Sequence, residues 1–366
     1  MIRAEIIVIG GGIAGISAAA RAAEAGAKTI VLEREPHIGT HSTARSAAVF
    51  IANYGNKTLR AINAASGPIL VAPAGIAEIS LLSPRGVLTI ADGDELDDMA
   101  AMEADATGLQ SLTAAEATAL MPILRPEKIV AANYEADAQD IDVDLMLNGF
   151  AKMLRRHGGE VVTGAEVLHI SHEVEWEITT KSGVYTAPIV INAAGAWGDV
   201  VAQMARVRPV GLQPMRRSIA ILPVPEALNV MRWPLVGTAS DRWYSKPTAG
   251  RLMVSPADED PVAPHDAWPD DMVLAEGLDR FEQATTLPVT RVERSWAGLR
   301  SFVADRTLVA GFAPDAPGFF WLVGQGGYGV QTAPAMAQLA ADLTLGNAPK
   351  LPDWVVNALS PKRFSS

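Results

Sequence analysis

Three glycines near the start of the chain have the spacing of a phosphate-binding loop. Gly10, Gly12 and Gly15 follow a short apolar run, and Glu33 ends the next apolar run. In this pattern the first glycine allows a tight turn, the second lets the backbone approach a pyrophosphate, and the third packs a helix on a strand. The diphosphate would lie at the N-terminus of a helix starting near Ile13, and Glu33 would accept hydrogen bonds from a ribose. The pattern predicts an adenine-dinucleotide site.

Two further segments favour a flavin over a nicotinamide cofactor. The small and hydroxyl residues of 39–48 could lie beside a flat ring and offer N–H groups to it. The glycine-rich segment 324–329 opens onto a helix whose positive end suits the flavin O2 edge, where negative charge grows on reduction. A nicotinamide enzyme has no need of this second site, so the sequence predicts FAD.

Composition restricts the class of protein. The 366 residues are 49% hydrophobic, which is enough for two domains or one large domain with insertions. The chain has no cysteine, so FAD cannot be tethered through a cysteine sulfur, and the spacing of the six histidines predicts no metal site. A net charge of −11 argues against a nucleic-acid partner. No run of eighteen apolar residues and no signal-peptide pattern is present, so we expect a cytoplasmic protein without a transmembrane segment, with peripheral membrane contact left open.

Continuous apolar strands that end in small residues predict a parallel sheet covered on both faces. Between them, residues 76–91 and 212–255 alternate like antiparallel strands. The fold class is therefore α/β (α+β), with a Rossmann-like FAD-binding domain and an inserted mixed-sheet substrate domain. The FAD-binding domain is predicted to comprise 1–75, 140–210 and 295–366, and the substrate-binding domain 76–139 and 211–294. Other predicted elements are helices at 145–157 and 332–345, a strand pair at 161–170 and 174–180, and strands at 189–195 and 319–324.

Six longer motifs occur in a characteristic order, at 41–48, 81–85, 192–197, 211–218, 296–305 and 325–329. Together they resemble the D-amino-acid oxidase superfamily of FAD enzymes, the glycine oxidase-like flavoproteins, over essentially the whole chain. The resemblance implies oxidative deamination, in which hydride passes from Cα to flavin N5 and the imino acid hydrolyses to a 2-oxo acid and ammonia. The predicted FAD contacts are Gly10, Gly12, Ile13, Ala14, Gly15, Glu33, Arg34, His41, Ser42, Arg45, Ser46, Ala47, Ala48, Val167, Ala194, Gly195, Trp197, Gly298, Gly327, Tyr328, Gly329, Val330, Gln331 and Thr332.

The resemblance also places Arg217 and Arg300 at the substrate carboxylate, with Tyr54 and Tyr244 beside it. A guanidinium group grips a carboxylate with two parallel hydrogen bonds, and tyrosine hydroxyls add neutral donors. Arg216 competes with Arg217 for this role, because a one-residue shift in strand register would exchange them.

At the end of the pocket that would hold the substrate side chain, three residues differ from those of one group of relatives. The bacterial D-arginine dehydrogenases, which resemble the chain closely around 81–85, have a glutamate at the position of Val87, a histidine at Val49 and a threonine at Ile51. A buried cation without a counterion is unfavourable, so these replacements disfavour a cationic side chain. With Leu235, Gly237 and Gln331 completing the pocket, we predict neutral, hydrophobic D-amino acids as substrates.

Several alternatives stay open at this point. The valines could face away from the pocket and another acid could supply the charge, which would restore D-arginine-like basic substrates. A secondary amine or imino acid of the sarcosine, proline or hydroxyproline type, or a 2-hydroxy acid, would also fit the arginine pair. The chain could also be an FAD-binding subunit whose chemistry needs a partner chain. The electron acceptor is oxygen or a quinone, and no motif distinguishes the two.

Overall fold

The computed structural model of the protein describes residues 1–364, in which short strands are more numerous than helices. The strands, numbered in chain order, are β1 (Ile2–Arg3), β2 (Ile6–Ile9), β3 (Thr29–Leu32), β4 (Val49–Phe50), β5 (Leu82–Pro84), β6 (Val87–Ala91), β7 (Gln110–Leu112), β8 (Ala131–Glu135), β9 (Gln139–Ile141), β10 (Glu160–Val162), β11 (Val167–His172), β12 (Trp176–Thr180), β13 (Gly183–Ala187), β14 (Ile189–Asn192), β15 (Gln213–Leu222), β16 (Leu235–Thr238), β17 (Tyr244–Thr248), β18 (Arg251–Ser255), β19 (Asp260–Pro261), β20 (Arg294–Phe302), β21 (Val309–Phe312) and β22 (Phe319–Val323).

The helices fall mostly beside the first and last strands of the chain. They are α1 (Ile13–Glu24), α2 (Lys57–Val71), α3 (Leu96–Glu103), α4 (Ala114–Leu120), α5 (Val143–Arg156), α6 (Gly198–Met204), α7 (Asp271–Ala284), α8 (Gly329–Thr344) and α9 (Asp353–Leu359). None of the helices within 1–364 is both long and apolar enough to cross a bilayer.

A six-stranded sheet in the order β10-β3-β2-β14-β22-β21 carries the phosphate-binding loop. Its strands run parallel except for the edge strand β21. Successive residues alternate between two cores because side chains along a strand point to opposite faces. Ile6 and Val8 pack in the core that contains α1, α5 and α8. Ile7 and Ile9 pack on the other face, against α6 and the four-stranded sheet that contains β11. This covering of both faces explains the uninterrupted apolar runs.

The other large sheet of the protein is mixed and has nine strands. Eight of them follow the order β19-β15-β18-β17-β16-β6-β8-β7, and β20 pairs with β15. One face packs against α7, where Trp243 contacts Phe281 edge to face. Tyr244, one residue on, faces the opposite side of the sheet, which is the side that meets the phosphate-binding sheet. The mixed α/β fold predicted from the sequence is thus confirmed.

Two predicted elements have different bounds in the structure, and strand β20 bears on the proposed domain division. The strand expected at 161–170 is two strands, because β10 pairs with β3 whereas β11 joins the four-stranded sheet, and Gly164 turns between them with a φ of 64°. The helix expected at 332–345 begins at Gly329. Strand β20 belongs to the nine-stranded sheet, although 295–366 was assigned to the FAD-binding part. The two-part division remains a proposal, and we place its last boundary after Phe302.

Candidate active site

A cavity of about 450 Å³ lies at the carboxyl ends of β2, β3 and β14 and extends to β15, β17 and β20. This is the edge of an open α/β sheet at which ligands bind. The residues predicted to contact FAD that line it are Gly10, Gly12, Ile13, Ala14, Glu33, Arg34, His41, Ser42, Arg45, Ser46, Ala47, Val167, Ala194, Gly195, Trp197, Gly298, Gly327, Gly329 and Val330. Arg217, Tyr244 and Arg300 line the other end.

The first glycines of the chain make room for the backbone at this edge. Gly10 has a φ of 112°, and a Cβ there would lie 2.4 Å from the Ala193 carbonyl oxygen. A Cβ on Gly15 would lie 1.9 Å from the Gly10 carbonyl oxygen, which explains why Gly15 packs beneath the loop and does not line the cavity. Gly12, the N-cap of α1, lines the cavity together with Ile13 and Ala14, so the positive end of this helix faces the cavity. The loop therefore fits a diphosphate.

Glu33 is buried beside these glycines at 8% exposure. Its Oε2 accepts a hydrogen bond from the Gly11 N–H at 2.5 Å, and its Oε1 accepts one from the Glu35 N–H at 2.8 Å. A carboxylate has about four acceptor sites, so capacity remains for ribose hydroxyls. Thr43, which the sequence reasoning did not single out, also positions this end, because its Oγ1 accepts the Ile13 N–H at 3.0 Å.

A cluster of charged and aromatic side chains lines the same end. The Arg34 guanidinium lies 3.9 Å from the centre of the Trp197 ring, and His41 Nε2 lies 2.9 Å from Glu35 Oε1. The hydrogen bond from His41, helped by Arg34 and opposed by partial burial, lowers the pKa of Glu35. His41 is thus held by hydrogen bonds to its neighbours in this cluster.

Residues 39–48, which we call the cofactor loop, are fastened to β20. Ser42 Oγ donates a hydrogen bond to the Leu299 carbonyl at 2.7 Å, and Arg45 Nη1 donates one to the Ala297 carbonyl at 2.9 Å. Gly298 lets the loop approach, because a Cβ there would lie 3.2 Å from the Arg45 Cβ. The cavity thus has one wall from each of the two large sheets.

Arg217 and Arg300 lie on neighbouring antiparallel strands and on the same face of the sheet, because Met215 pairs with Arg300. Arg216 points to the other face and forms an ion pair with Asp260 at 2.6 Å. The register therefore places Arg217, and not Arg216, on the face with Arg300, and Arg217 lines the cavity.

At this end of the cavity, several side-chain hydrogen-bond donors lack a full set of acceptors. Tyr244 Oη and Arg217 Nε are buried and have no hydrogen-bond partner among residues 1–364. Arg217 Nη2 donates a hydrogen bond to Glu259 at 3.0 Å, and Arg300 Nη1 makes a weak one to Tyr54 Oη at 3.4 Å. Burial lowers the pKa of Arg300, but Tyr54, Tyr244, Asp241 and Glu259 together raise it above the ordinary arginine value, so this guanidinium stays charged. Buried unpaired donors are rare, and an acceptor-only ligand such as a carboxylate would satisfy them.

The remaining predicted residues lie around the cavity without lining it. Tyr54 stands behind Arg300, and a Cβ on Gly327 would lie 2.9 Å from its hydroxyl. Tyr328 packs on Tyr54 and Phe302, whose ring centres are 4.8 and 6.3 Å away, and its contact with FAD stays a prediction. The other predicted residues in this outer layer are Ala48, Val49, Ile51, Val87, Leu235, Gly237, Gln331 and Thr332.

A buried amide pair holds the segment that carries Tyr54. Gln331 Oε1 accepts the Ile51 N–H at 3.1 Å, and Gln331 Nε2 donates to Asn63 Oδ1 at 2.8 Å. Asn63 Nδ2 in turn donates to the Tyr54 carbonyl at 3.0 Å. Gln331 is therefore a scaffold residue in this structure, and Asn63 is a scaffold residue that the sequence did not reveal, because an isolated asparagine in a helix carries no local signal.

Replacing Asn63 with alanine should loosen this segment. The change leaves Gln331 Nε2 and the Tyr54 carbonyl without partners, which should lower the free energy of unfolding by about 1–3 kcal/mol and raise KM through the displaced Tyr54. Denaturant titration of FAD-saturated protein and steady-state kinetics measure both effects. Asn148 is the matched control, since it is exposed and its side chain bonds only to Asp144 one turn earlier in α5. Equal losses in the two variants would contradict the role of Asn63.

The family model for FAD dependent oxidoreductases (DAO) matches residues 5–343. The chain belongs to this family. Glycine oxidase of Bacillus licheniformis is 26% identical over 382 aligned residues, which cover 96% of each chain. Among solved structures, L-proline dehydrogenase from P. horikoshii superimposes with a TM-score of 0.85 at 23% identity, covering 100% of this chain and 98% of that one.

A FAD-bound relative shares the fold as well. L-alpha-glycerophosphate oxidase from Mycoplasma pneumoniae, solved with FAD bound, gives a TM-score of 0.84 at 19% identity and covers 97% of this chain and 98% of that one. The protein is thus an FAD-dependent oxidoreductase, as the glycine pattern and the second glycine-rich segment indicated. The diphosphate loop, Glu33 and the cofactor loop are the residues that would hold the FAD. Within the described chain, no group of histidine and acidic side chains is arranged to hold a metal ion.

Proposed function

We propose that the protein oxidises D-amino acids to 2-oxo acids and ammonia. The observation that carries this proposal is the set of incompletely used donors, Arg217 Nε, Tyr244 Oη and the Arg300 guanidinium, at one end of the FAD cavity. A substrate carboxylate would satisfy them and fix the position of Cα. Bound FAD would accept the hydride from Cα. The D configuration is taken from the resemblance to the D-amino-acid oxidases.

The side-chain preference depends on the strands beside Tyr244. Val87 and Leu235 are directly paired on neighbouring strands and share a face of the sheet, and Gly237 lies opposite Tyr244. These residues are apolar, as are Val49 and Ile51, and all five stand just outside the lining of the cavity. Neutral, hydrophobic D-amino acids are the proposed substrates, because these five residues offer no counterion to a cationic side chain that loses its hydration.

One observation favours basic substrates as a second candidate. Glu135 pairs directly with Val87 on β8, so both side chains lie on the same face, and Glu135 is only 7% exposed. Its Oε1 accepts hydrogen bonds from the N–H groups of Ala52 and Asn53 at 3.0 and 3.4 Å. If this carboxylate also reaches the substrate, it would supply the charge that Val87 lacks.

A substrate panel decides between these candidates. Anaerobic titration of the FAD-loaded protein with D- and L-leucine, D-phenylalanine and D-arginine reports reduction through the loss of flavin absorbance, and ammonia release excludes a 2-hydroxy acid reaction. We expect reduction by D-leucine and D-phenylalanine at the lowest concentrations. Preferential reduction by D-arginine that Glu135→Gln abolishes would establish the second candidate. Reduction by none of the amino acids would refute both.

The rate of flavin reduction by D-leucine should rise with pH. Glu259 is the acid beside the arginines at this end, and Arg217 and Arg306 already hold its carboxylate, so we expect the substrate ammonium to lose its proton to water before hydride transfer. Burial raises the pKa of Tyr328 to about 12, which keeps this hydroxyl protonated in the assay range. We expect kcat/KM to increase about tenfold per pH unit until the substrate amine is neutral. A flat profile under conditions in which chemistry limits the rate would contradict this expectation.

A further inference from the structure

A buried lysine on the substrate-facing side of the nine-stranded sheet touches the cofactor loop. Lys246 is 8% exposed and lies two residues after Tyr244 on β17, so both side chains project from the same face. Its Nζ donates a hydrogen bond to the Ala47 carbonyl at 2.6 Å and another to Asp140 Oδ1 at 2.9 Å. Ala47 lines the cavity together with Tyr244. The lysine thus contacts the loop near the end of the cavity that holds the carboxylate donors.

The charges around Lys246 do not cancel. Asp140 Oδ2 accepts two hydrogen bonds from Arg85, at 2.8 Å from Nε and 2.6 Å from Nη2. Arg85 Nη1 donates to the carbonyls of Met231 and Trp233, which carry no charge. Two buried or half-buried cations therefore share one carboxylate, and the cluster keeps one positive charge. In a protein interior such a charge acts over a longer range than in water.

The hydrogen bond to Ala47 also fixes a peptide orientation. The peptide is planar and trans, so the Ala48 N–H lies on the edge opposite the Ala47 carbonyl. This N–H donates to Ser46 Oγ at 3.0 Å, and Ser46 lines the cavity. Ala48 has a φ of 53°, a conformation that residues with a side chain rarely adopt and that the surroundings must impose. Lys246 on one edge and Ser46 on the other hold the peptide in place.

We propose that Lys246 is a positioning residue for the FAD of this protein. It holds the Ala47–Ala48 peptide with its N–H edge on the cavity side, and the charge it shares with Arg85 and Asp140 favours the more negative, reduced form of FAD. The proposal rests on FAD binding and not on the identity of the substrate. It predicts that loss of the Lys246 charge lowers the reduction potential of the bound FAD.

The test measures the two-electron potential of the FAD-loaded protein against a reference dye, without amino acid. In Lys246→Met the equilibrium should shift at least tenfold towards oxidised FAD, which corresponds to about 30 mV. Lys246→Arg keeps the charge and should stay within threefold of the wild type. Lys152→Met is the matched control, because Lys152 is exposed on α5, and its potential should equal that of the wild type.

A second variant covers the case in which Lys246→Met does not retain FAD. Asp140→Asn keeps the shape of the cluster and removes its only anion, so it should shift the equilibrium at least threefold in the opposite direction, towards reduced FAD. An FAD-loaded Lys246→Met variant with the wild-type potential would overturn the proposal. So would an Asp140→Asn variant with an unchanged or lower potential. Because no substrate is used, neither result depends on whether D-amino acids are oxidised.

Discussion

Replacing Arg300 with alanine should lower kcat/KM for the best D-amino acid about 10³-fold while FAD stays bound. Loss of a buried, hydrogen-bonded charge pair costs about 2–5 kcal/mol, and each 1.4 kcal/mol is about tenfold. The folded protein loses little, because among the described residues the side chain that hydrogen-bonds Arg300 is Tyr54, at a long 3.4 Å. Stopped-flow reduction of the flavin under anaerobic conditions measures the effect directly.

Two further variants test whether the loss in kcat/KM comes from the guanidinium group of Arg300. Arg300→Lys keeps a positive charge but loses the planar fork, so its kcat/KM should lie between those of the wild type and the alanine variant. Arg291→Ala is the control, because Arg291 is exposed and pairs with Glu293 at the surface. An Arg300→Ala protein that reduces its flavin within threefold of the wild-type rate would mean that the carboxylate binds elsewhere.

The second large effect is expected at Gly15. Gly15→Ala places a Cβ 1.9 Å from the Gly10 carbonyl oxygen, and this oxygen belongs to the turn that must approach the diphosphate. The backbone has to shift, because neither atom is the end of a flexible side chain. We expect the purified variant to carry less than about a tenth of the wild-type FAD and to melt at a lower temperature, since binding to the folded state stabilises a protein.

Gly93→Ala provides the matched comparison for Gly15. A Cβ at Gly93 meets no atom within 4 Å, and the residue does not line the cavity. Absorbance at the flavin band relative to protein, together with the melting temperature before and after adding FAD, measures both expectations. A yellow Gly15→Ala protein with wild-type FAD content would show that the loop tolerates the displacement and that the diphosphate lies elsewhere.

The sequence alone determined the cofactor end of the site. Gly10, Gly12 and Glu33 are close in sequence, and the strand, turn and helix that connect them are fixed by local hydrophobic patterning and glycine geometry. This pattern predicts an adenine dinucleotide, the segments 39–48 and 324–329 favour FAD over a nicotinamide cofactor, and the family match over 5–343 confirms FAD. The cofactor loop could also be predicted from the sequence, because its small and hydroxyl residues lie close together in the chain.

The tertiary structure decided everything that depends on pairing distant segments. The choice of Arg217 over Arg216 follows from the register of β15 against β20, which a one-residue shift would reverse. Glu135 beside Val87, Asn63 against Gln331 and Lys246 against Ala47 are each joined across strands or loops that are far apart in the chain. Such residues carry no local signal, because a buried charge or amide is defined by its partners and not by its neighbours in sequence.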